Sequence, residues 1–298
     1  MPTIQEMLEN QDYVITDGAM GTLLFAAGLE QGDPPELWNL KYPARVADVH
    51  QAYLEAGSQI ILTNTFGGSR LRLALHNAES HVSAANKAAA EILRQVADQS
   101  EKEILVAGDI GPTGEVLAPY GELAFQDAKD AFQEQAAALT AGGVDLIWIE
   151  TMSDLEEVRA AVEATREVSR DIPIVTTMTF DTHGRTMMGV TPEQAFETLS
   201  GLGASALGGN CGNGPEEIIE VVTKMRAIDE ETILVAKANA GIPELVKGKA
   251  VYRASPETMA DYAIQSYQAG ARVIGACCGS TPDHIAAISQ ALSNHLRL

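Results

Sequence analysis

One unit repeats along this chain: a short apolar, β-branched run followed by a longer segment with helical periodicity. Eight runs carry the first half of the unit, at 13–17, 59–63, 104–108, 145–149, 173–177, 205–209, 233–237 and 272–276. Each is mostly apolar rather than alternating, as strands covered on both faces require. The helical segments lie at 44–56, 79–98, 125–141, 153–169, 192–202, 215–228, 256–269 and 282–295. Pro192, Pro215, Pro256 and Pro282 open four of them, at the position where a missing N–H costs nothing. Gly57, Gly143, Gly203 and Gly270 close four, supplying the left-handed turn that ends a helix before the next strand. Eight such units in 298 residues predict an α/β fold, a (β/α)8 TIM barrel spanning 1–298 as a single domain. A doubly wound open sheet is the competitor. It ordinarily needs fewer strands, and neither G-x-G-x-x-G after the first run nor G-x-x-x-x-G-K occurs.

The barrel fixes where chemistry belongs, because active sites of this fold lie at the C-terminal ends of the strands. Just past those ends stand Asp17-Gly18, Asn64-Thr65-Phe66, Asp109, Glu150-Thr151, Thr179, Asn210-Cys211, Asn239 and Cys277-Cys278. The same rim carries the longest connections, 19–43, 110–124 and 240–255, which are expected to be lids or binding loops. The net charge of −21 argues against a nucleic-acid partner, which needs Lys and Arg to neutralise phosphate, and against docking on anionic membranes. No run approaches the roughly 18–20 apolar residues of a membrane span. The N-terminus has no basic segment followed by an apolar one, and three cysteines make no disulfide framework, so the expected location is cytoplasmic.

Adjacent Cys277 and Cys278 have Cα atoms about 3.8 Å apart, below the usual disulfide separation. With Cys211 they supply three thiols at strand ends, enough for a metal with one coordination position left open; the plainer alternative is three small core side chains. Iron–sulfur clusters usually take four cysteines. Glu150 ends an apolar strand, either as a cap or ion-pair partner at the rim or as an anion for a substrate ammonium. Asp17 precedes Gly18, whose backbone lets a ligand approach closely or simply makes a turn. Trp38 either packs a lid against the barrel or faces a methylated cation through cation–π attraction, with Tyr120 and Tyr252 as weaker candidates for that wall. His50, His76 and His81 lie in helical segments without metal-ligand spacing.

These residues carry a resemblance. Asp17-Gly18-Ala19-Met20-Gly21-Thr22, Thr63-Asn64-Thr65-Phe66, Gly111-Pro112, Ile149-Glu150-Thr151-Met152, Gly209-Asn210-Cys211-Gly212 and Gly275-Ala276-Cys277-Cys278-Gly279 resemble the zinc-dependent homocysteine S-methyltransferases along almost the whole chain. The resemblance implies that Cys211, Cys277 and Cys278 bind Zn2+, that the homocysteine sulfur completes the coordination, and that Glu150 and Asp17-Gly18 hold the amino-acid end. Thr65 and Asn210, inside matching motifs, join the expected substrate-binding set. Pro35-Glu36-Leu37-Trp38-Asn39, Gly67-Gly68-Ser69-Arg70 and Gly241-Ile242-Pro243-Glu244 look most like bacterial betaine–homocysteine methyltransferases, which implies glycine betaine as methyl donor. The tyrosines of the animal betaine enzymes are replaced here by Gly67 and Thr151; a homo-oligomer is compatible with the resemblance. Alternative donors are a sulfonium, such as dimethylsulfoniopropionate or S-methylmethionine, or a methylcorrinoid protein. A reading of another class is a non-catalytic zinc-thiolate sensor.

Overall fold

Eight parallel strands are arranged in the order β1-β10-β7-β6-β5-β4-β3-β2. They are β1 Val14–Ile15, β2 Ile60–Leu62, β3 Leu105–Ile110, β4 Leu146–Met152, β5 Ile174–Met178, β6 Ala206–Cys211, β7 Leu234–Ala238 and β10 Ala271–Ala276. In this computed structural model, which describes residues 2–246 and 249–297, β2 meets β1 through a parallel Thr16–Ile60 bridge. Asp17 N–H donates to the Ile60 carbonyl at 3.1 Å and Gln59 N–H to that of Ile15 at 2.7 Å, which closes the sheet into a barrel. The expected (β/α)8 TIM barrel is therefore present. A short antiparallel pair, β8 Glu244–Val246 and β9 Lys249–Val251, stands apart in the connection after β7. Residues 247 and 248 of the expected 240–255 connection lie outside the described residues, as do 1 and 298 of the expected domain.

Side chains along a strand alternate between the two faces, and the alternation sorts the barrel into layers. Leu105 and Ala107 of β3, Leu146 and Trp148 of β4, and Val235 of β7 fill one apolar layer together with Ile60, Leu62, Val175 and Val273. Ile4 and Met7 of the N-terminal helix Ile4–Asn10 join that cluster and cover its lower end. Two residues further along, the same inward positions hold Asp109, Glu150 and Lys237. An apolar layer thus forms the floor beneath a charged one. The opposite strand faces pack against the outer helices, where Phe132, Phe180, Met225 and Ile288 are fully buried. Burying each such side chain is worth about 1.5–3 kcal/mol.

The strand-to-helix connections are longer than the opposite ones and carry structure of their own. Between β1 and helix Pro43–Glu55 lie helix Met20–Ala26, a 3-10 turn Pro35–Leu37 and helix Trp38–Lys41. Among the described residues no helix is long and apolar enough to cross a membrane.

Candidate active site

Cys211 ends β6, and Cys277-Cys278 follow β10 directly. Although β7 lies between those strands, the three sulfurs converge. Cys211 Sγ is 3.2 Å from Cys277 Sγ and 3.7 Å from Cys278 Sγ, and all three lie within 4.8 Å of one another. Three thiolates about 2.3 Å from one tetrahedral ion would have sulfurs about 3.8 Å apart. The donor set and its spacing therefore fit a thiophilic metal, and no other such group occurs among the described residues. Hydrogen bonds from Cys211 and Cys277 draw the Cys278 thiol below its ordinary range.

Backbone clamps bring the thiols together. Asn239, just past β7, accepts from Cys278 N–H through Oδ1 at 2.9 Å and donates through Nδ2 to the Gly212 carbonyl at 2.7 Å. One buried amide thus ties both cysteine loops. Asn239→Ala is expected to weaken metal binding 10–100-fold, as loss of a supporting contact to a metal shell does. Competition with a chromophoric chelator measures this, and an affinity within twofold of wild type would show that the loops hold without Asn239. On the other side, Ser280 Oγ donates to the Cys277 carbonyl at 2.7 Å and accepts from Ala19 N–H at 3.0 Å. A Cβ on Gly18 would fall 2.5 Å from that oxygen, so the close approach requires glycine there.

Asn210 is fully buried, and its side chain binds Thr151 and, through Nδ2 at 3.9 Å, Cys277 Sγ. Thr151 N–H donates to its Oδ1 at 2.9 Å, and its Nδ2 donates to Thr151 Oγ1 at 2.7 Å. These bonds hold Thr151 at φ 62°, a left-handed conformation that costs a β-branched residue on the order of 1–3 kcal/mol. Cys211 shares the same unusual φ. Thr65 is likewise fully buried, sharing a 2.6 Å hydrogen bond with Thr63 Oγ1 and donating to the Asp109 carbonyl at 2.7 Å. In this structure Asn210 and Thr65 shape the rim through protein contacts.

The segment around Trp38 braces the neighbouring loop. Glu36 accepts from Gly67 N–H at 2.7 Å, and Asn39 and Asn64 bind each other and the adjacent backbone. Trp38 is only 4% exposed. The Arg45 guanidinium lies 5.3 Å over its ring and the Tyr42 ring packs edge-on at 4.9 Å. Of the weaker aromatic candidates, Tyr120 is exposed and Tyr252 lies against Gly279, beside Cys278.

The charged layer contains a residue the sequence reading did not single out. Lys237 is 3% exposed, with Nζ 3.1 Å from Asp17 Oδ1, 3.8 Å from Glu150 Oε2 and 5.2 Å from the Trp148 ring centroid. It is the only buried Lys or Arg among the described residues. The sequence signal was its position, two residues beyond Val235 on an inward-facing strand register. Asp17 also accepts from Leu62 N–H at 2.8 Å and from Thr16 Oγ1 at 3.2 Å, which fastens the β1–β2 seam. Burial works against charge on Lys237, yet Asp17 and Glu150 raise its pKa above the ordinary value. Burial pushes Glu150 up to about 8, with Lys237 pulling the other way and Cys277 and Asp17 adding to the rise. Asp109 is held well above the usual carboxylate range by burial and by the nearby Glu150.

Residues 14–292 match the family described as homocysteine S-methyltransferase. The methionine synthase of Mycobacterium tuberculosis is 31% identical over 300 residues, covering 96% of this chain and 25% of that protein. The chain thus spans about a quarter of the length of the curated relatives it matches. Among solved structures, the homocysteine methyltransferase MmuM from Escherichia coli in its metallated form superposes with a TM-score of 0.81 at 26% identity, covering 96% of this chain and 99% of that one. Its oxidized form gives 0.81 at 25% identity, covering 96% and 98%.

Proposed function

Because the chain belongs to the homocysteine S-methyltransferase family, we propose that it transfers a methyl group from glycine betaine to the thiol of homocysteine, giving methionine and dimethylglycine. The observation that carries this reading is the convergence of Cys211, Cys277 and Cys278 at the barrel mouth, directly above a buried carboxylate layer. A zinc ion held by these three thiolates would lower the pKa of a substrate thiol and present its sulfur as a thiolate at neutral pH.

The chain's own residues supply orientation. Glu150, with Oε2 buried and without a hydrogen-bond partner among the described residues, offers a carboxyl group that a substrate ammonium would hold ionised against the burial that raises its pKa. Asn239 and Ser280 fix the cysteine loops, and Asn210 fixes the turn after Glu150. Sulfur and ammonium of one substrate are thereby held by groups of one rigid rim, and such alignment supplies a large share of the rate in a two-substrate displacement. The sulfur lone pair forms the new S–CH3 bond as the C–N bond of betaine breaks. Its electron pair remains on the dimethylglycine nitrogen, and the thiol proton leaves to solvent. No histidine is needed as a base.

The donor assignment is supported by the betaine-type motifs and by the acidic character of the chain. A second reading, delivery of the methyl group by a partner such as a methylcorrinoid protein, is favoured by a different observation. Val116, Tyr120, Met187, Ile242 and Leu245 are large apolar side chains exposed on strand-to-helix connections, the side of the barrel on which the thiols lie. Purified zinc-loaded protein given homocysteine and, separately, glycine betaine, dimethylsulfoniopropionate, S-methylmethionine or a methylcorrinoid protein is expected to form methionine with betaine. Turnover with the corrinoid protein alone would establish the second reading. Zinc binding without any effect of homocysteine on the thermal transition would instead indicate a zinc-thiolate sensor.

A further inference from the structure

The long connection after β7 is fastened at its two ends. Its outlying strand β8, Glu244–Val246, is exposed along its whole length and contributes nothing buried. The ends, by contrast, run close to the thiols. Ala240 N–H donates to the Cys278 carbonyl at 2.9 Å, and Ala254 N–H donates to the Ala240 carbonyl at 2.9 Å. Between them Tyr252 presses on the cysteine turn: a Cβ on Gly279 would fall 2.1 Å from the Tyr252 ring carbon Cγ.

The next link is a side chain. His284 stands in the first turn of helix Pro282–His295 and is 8% exposed. Thr281 N–H donates to its Nδ1 at 3.1 Å, so Nδ1 supplies a lone pair and the ring proton sits on Nε2. Nε2 lies 3.0 Å from the Ala254 carbonyl and donates to it. One neutral tautomer therefore caps the helix and grips the connection. A glutamate at this capping-box position could accept from Thr281, but its carboxylate has no proton to give Ala254. The bonds form a circuit from the Cys278 carbonyl through Ala240, Ala254 and His284 to Thr281. Ser280, beside Thr281, donates to the Cys277 carbonyl at 2.7 Å. The links of the circuit are otherwise main chain to main chain, so His284 is the one that residue identity sets.

We infer that His284 is a positioning residue of the thiol centre. It clasps the connection after β7 onto the Cys277-Cys278 turn, which fixes Cys278 and the Tyr252 ring beside it in the geometry that a metal needs. Its action passes through Ala254 and Ala240. The inference rests on the three-thiolate centre of the proposed function and is indifferent to the methyl donor.

Two amide variants separate the clasp from the cap. In His284→Asn the Oδ1 atom stands near the place of Nδ1 and can accept from Thr281 N–H, but the side chain is too short for Ala254. In His284→Gln the longer amide can accept from Thr281 and also donate to Ala254. Zinc affinity is read by competition with a chelator, metal geometry by the visible bands of the cobalt-substituted protein, and the clasp by amide hydrogen exchange at residues 240 and 254. His284→Asn is expected to bind zinc about tenfold more weakly, as loss of an outer support does, while His284→Gln stays within about twofold of wild type. The asparagine variant should also shift the cobalt bands and exchange faster at 240 and 254. Wild-type affinity and exchange in both variants would overturn the inference, and so would equal losses in both, which mark ring packing alone. Either result leaves the methyl-transfer reading intact. A wild type that binds no zinc would overturn both. Should His284→Asn not fold, His284→Glu keeps the cap without a donor for Ala254 and is judged against His284→Gln in the same way.

Discussion

Cys278→Ser protein is expected to fold with a thermal transition close to that of wild type, yet to retain less than a tenth of the stoichiometric zinc and to form no methionine. The three cysteines are half-buried at the mouth, outside the apolar clusters that hold the barrel together. Removing one sulfur therefore takes little from packing. It takes a great deal from the metal, since the site offers three protein ligands and a single deletion leaves two. A serine oxygen is a poor replacement for a thiolate at a thiophilic centre. Cys211→Ser and Cys277→Ser should behave alike, because the three sulfurs act as one donor set. Zinc content by atomic emission, and the visible absorption of the cobalt-substituted protein, report the metal separately from activity. Full zinc occupancy in any one of these variants would remove the basis for the three-thiolate centre.

Lys237→Met should destabilise the protein by about 3–5 kcal/mol, the usual consequence of deleting one partner of a buried ion pair. With about 2–4 °C of melting temperature per kcal/mol for domains of roughly 150–250 residues, the transition should fall by on the order of 10 °C. The side chain is nearly isosteric, so the loss comes from charge: Asp17, Asp109 and Glu150 would remain in the barrel without the one buried Lys or Arg among the described residues. The effect should depend on pH. Lys237 lowers the pKa of all three carboxylates, which burial has raised. Without the lysine those pKa values rise further, and a carboxylate whose folded pKa lies above its unfolded value loses stability as pH increases. The deficit of Lys237→Met relative to wild type should therefore be larger at pH 8 than at pH 5. Adding Asp17→Asn should recover part of it. Urea titrations at both pH values measure the cycle, and strictly additive losses from the two substitutions would show that the pair is not coupled.

Most of the architecture was legible because each βα unit announces itself locally, in an apolar run, a proline at a helix start or a glycine at its end. The three cysteines were legible for a related reason. Once the barrel assigns every strand end to one rim, residues 66 and 67 positions apart in sequence become neighbours. The charged layer was harder to read. Lys237 is 220 residues from Asp17 and sits at the end of an otherwise ordinary strand, where its partner is set by barrel closure rather than by spacing. Glu150 was placed at the end of its strand, but β4 continues to Met152 and turns Glu150 inward beneath the thiols. The Glu36–Asn39 segment held motif residues whose scaffolding work depends on side-chain hydrogen bonds to a distant loop. No pattern of hydropathy encodes those bonds.

The double hydrogen bond between Asn210 and Thr151 also bears on substrate length. Asn210 adjoins Cys211, and Thr151 adjoins Glu150, so the amide is a strut between the thiol centre and the carboxylate beneath it. The two anchors cannot drift apart or together without breaking both bonds and releasing the left-handed turn at Thr151. In the proposed reaction the rim is therefore a gauge of fixed span. A thiol amino acid one methylene shorter than homocysteine can occupy one anchor or the other, but it pays in full for the contact it fails to reach.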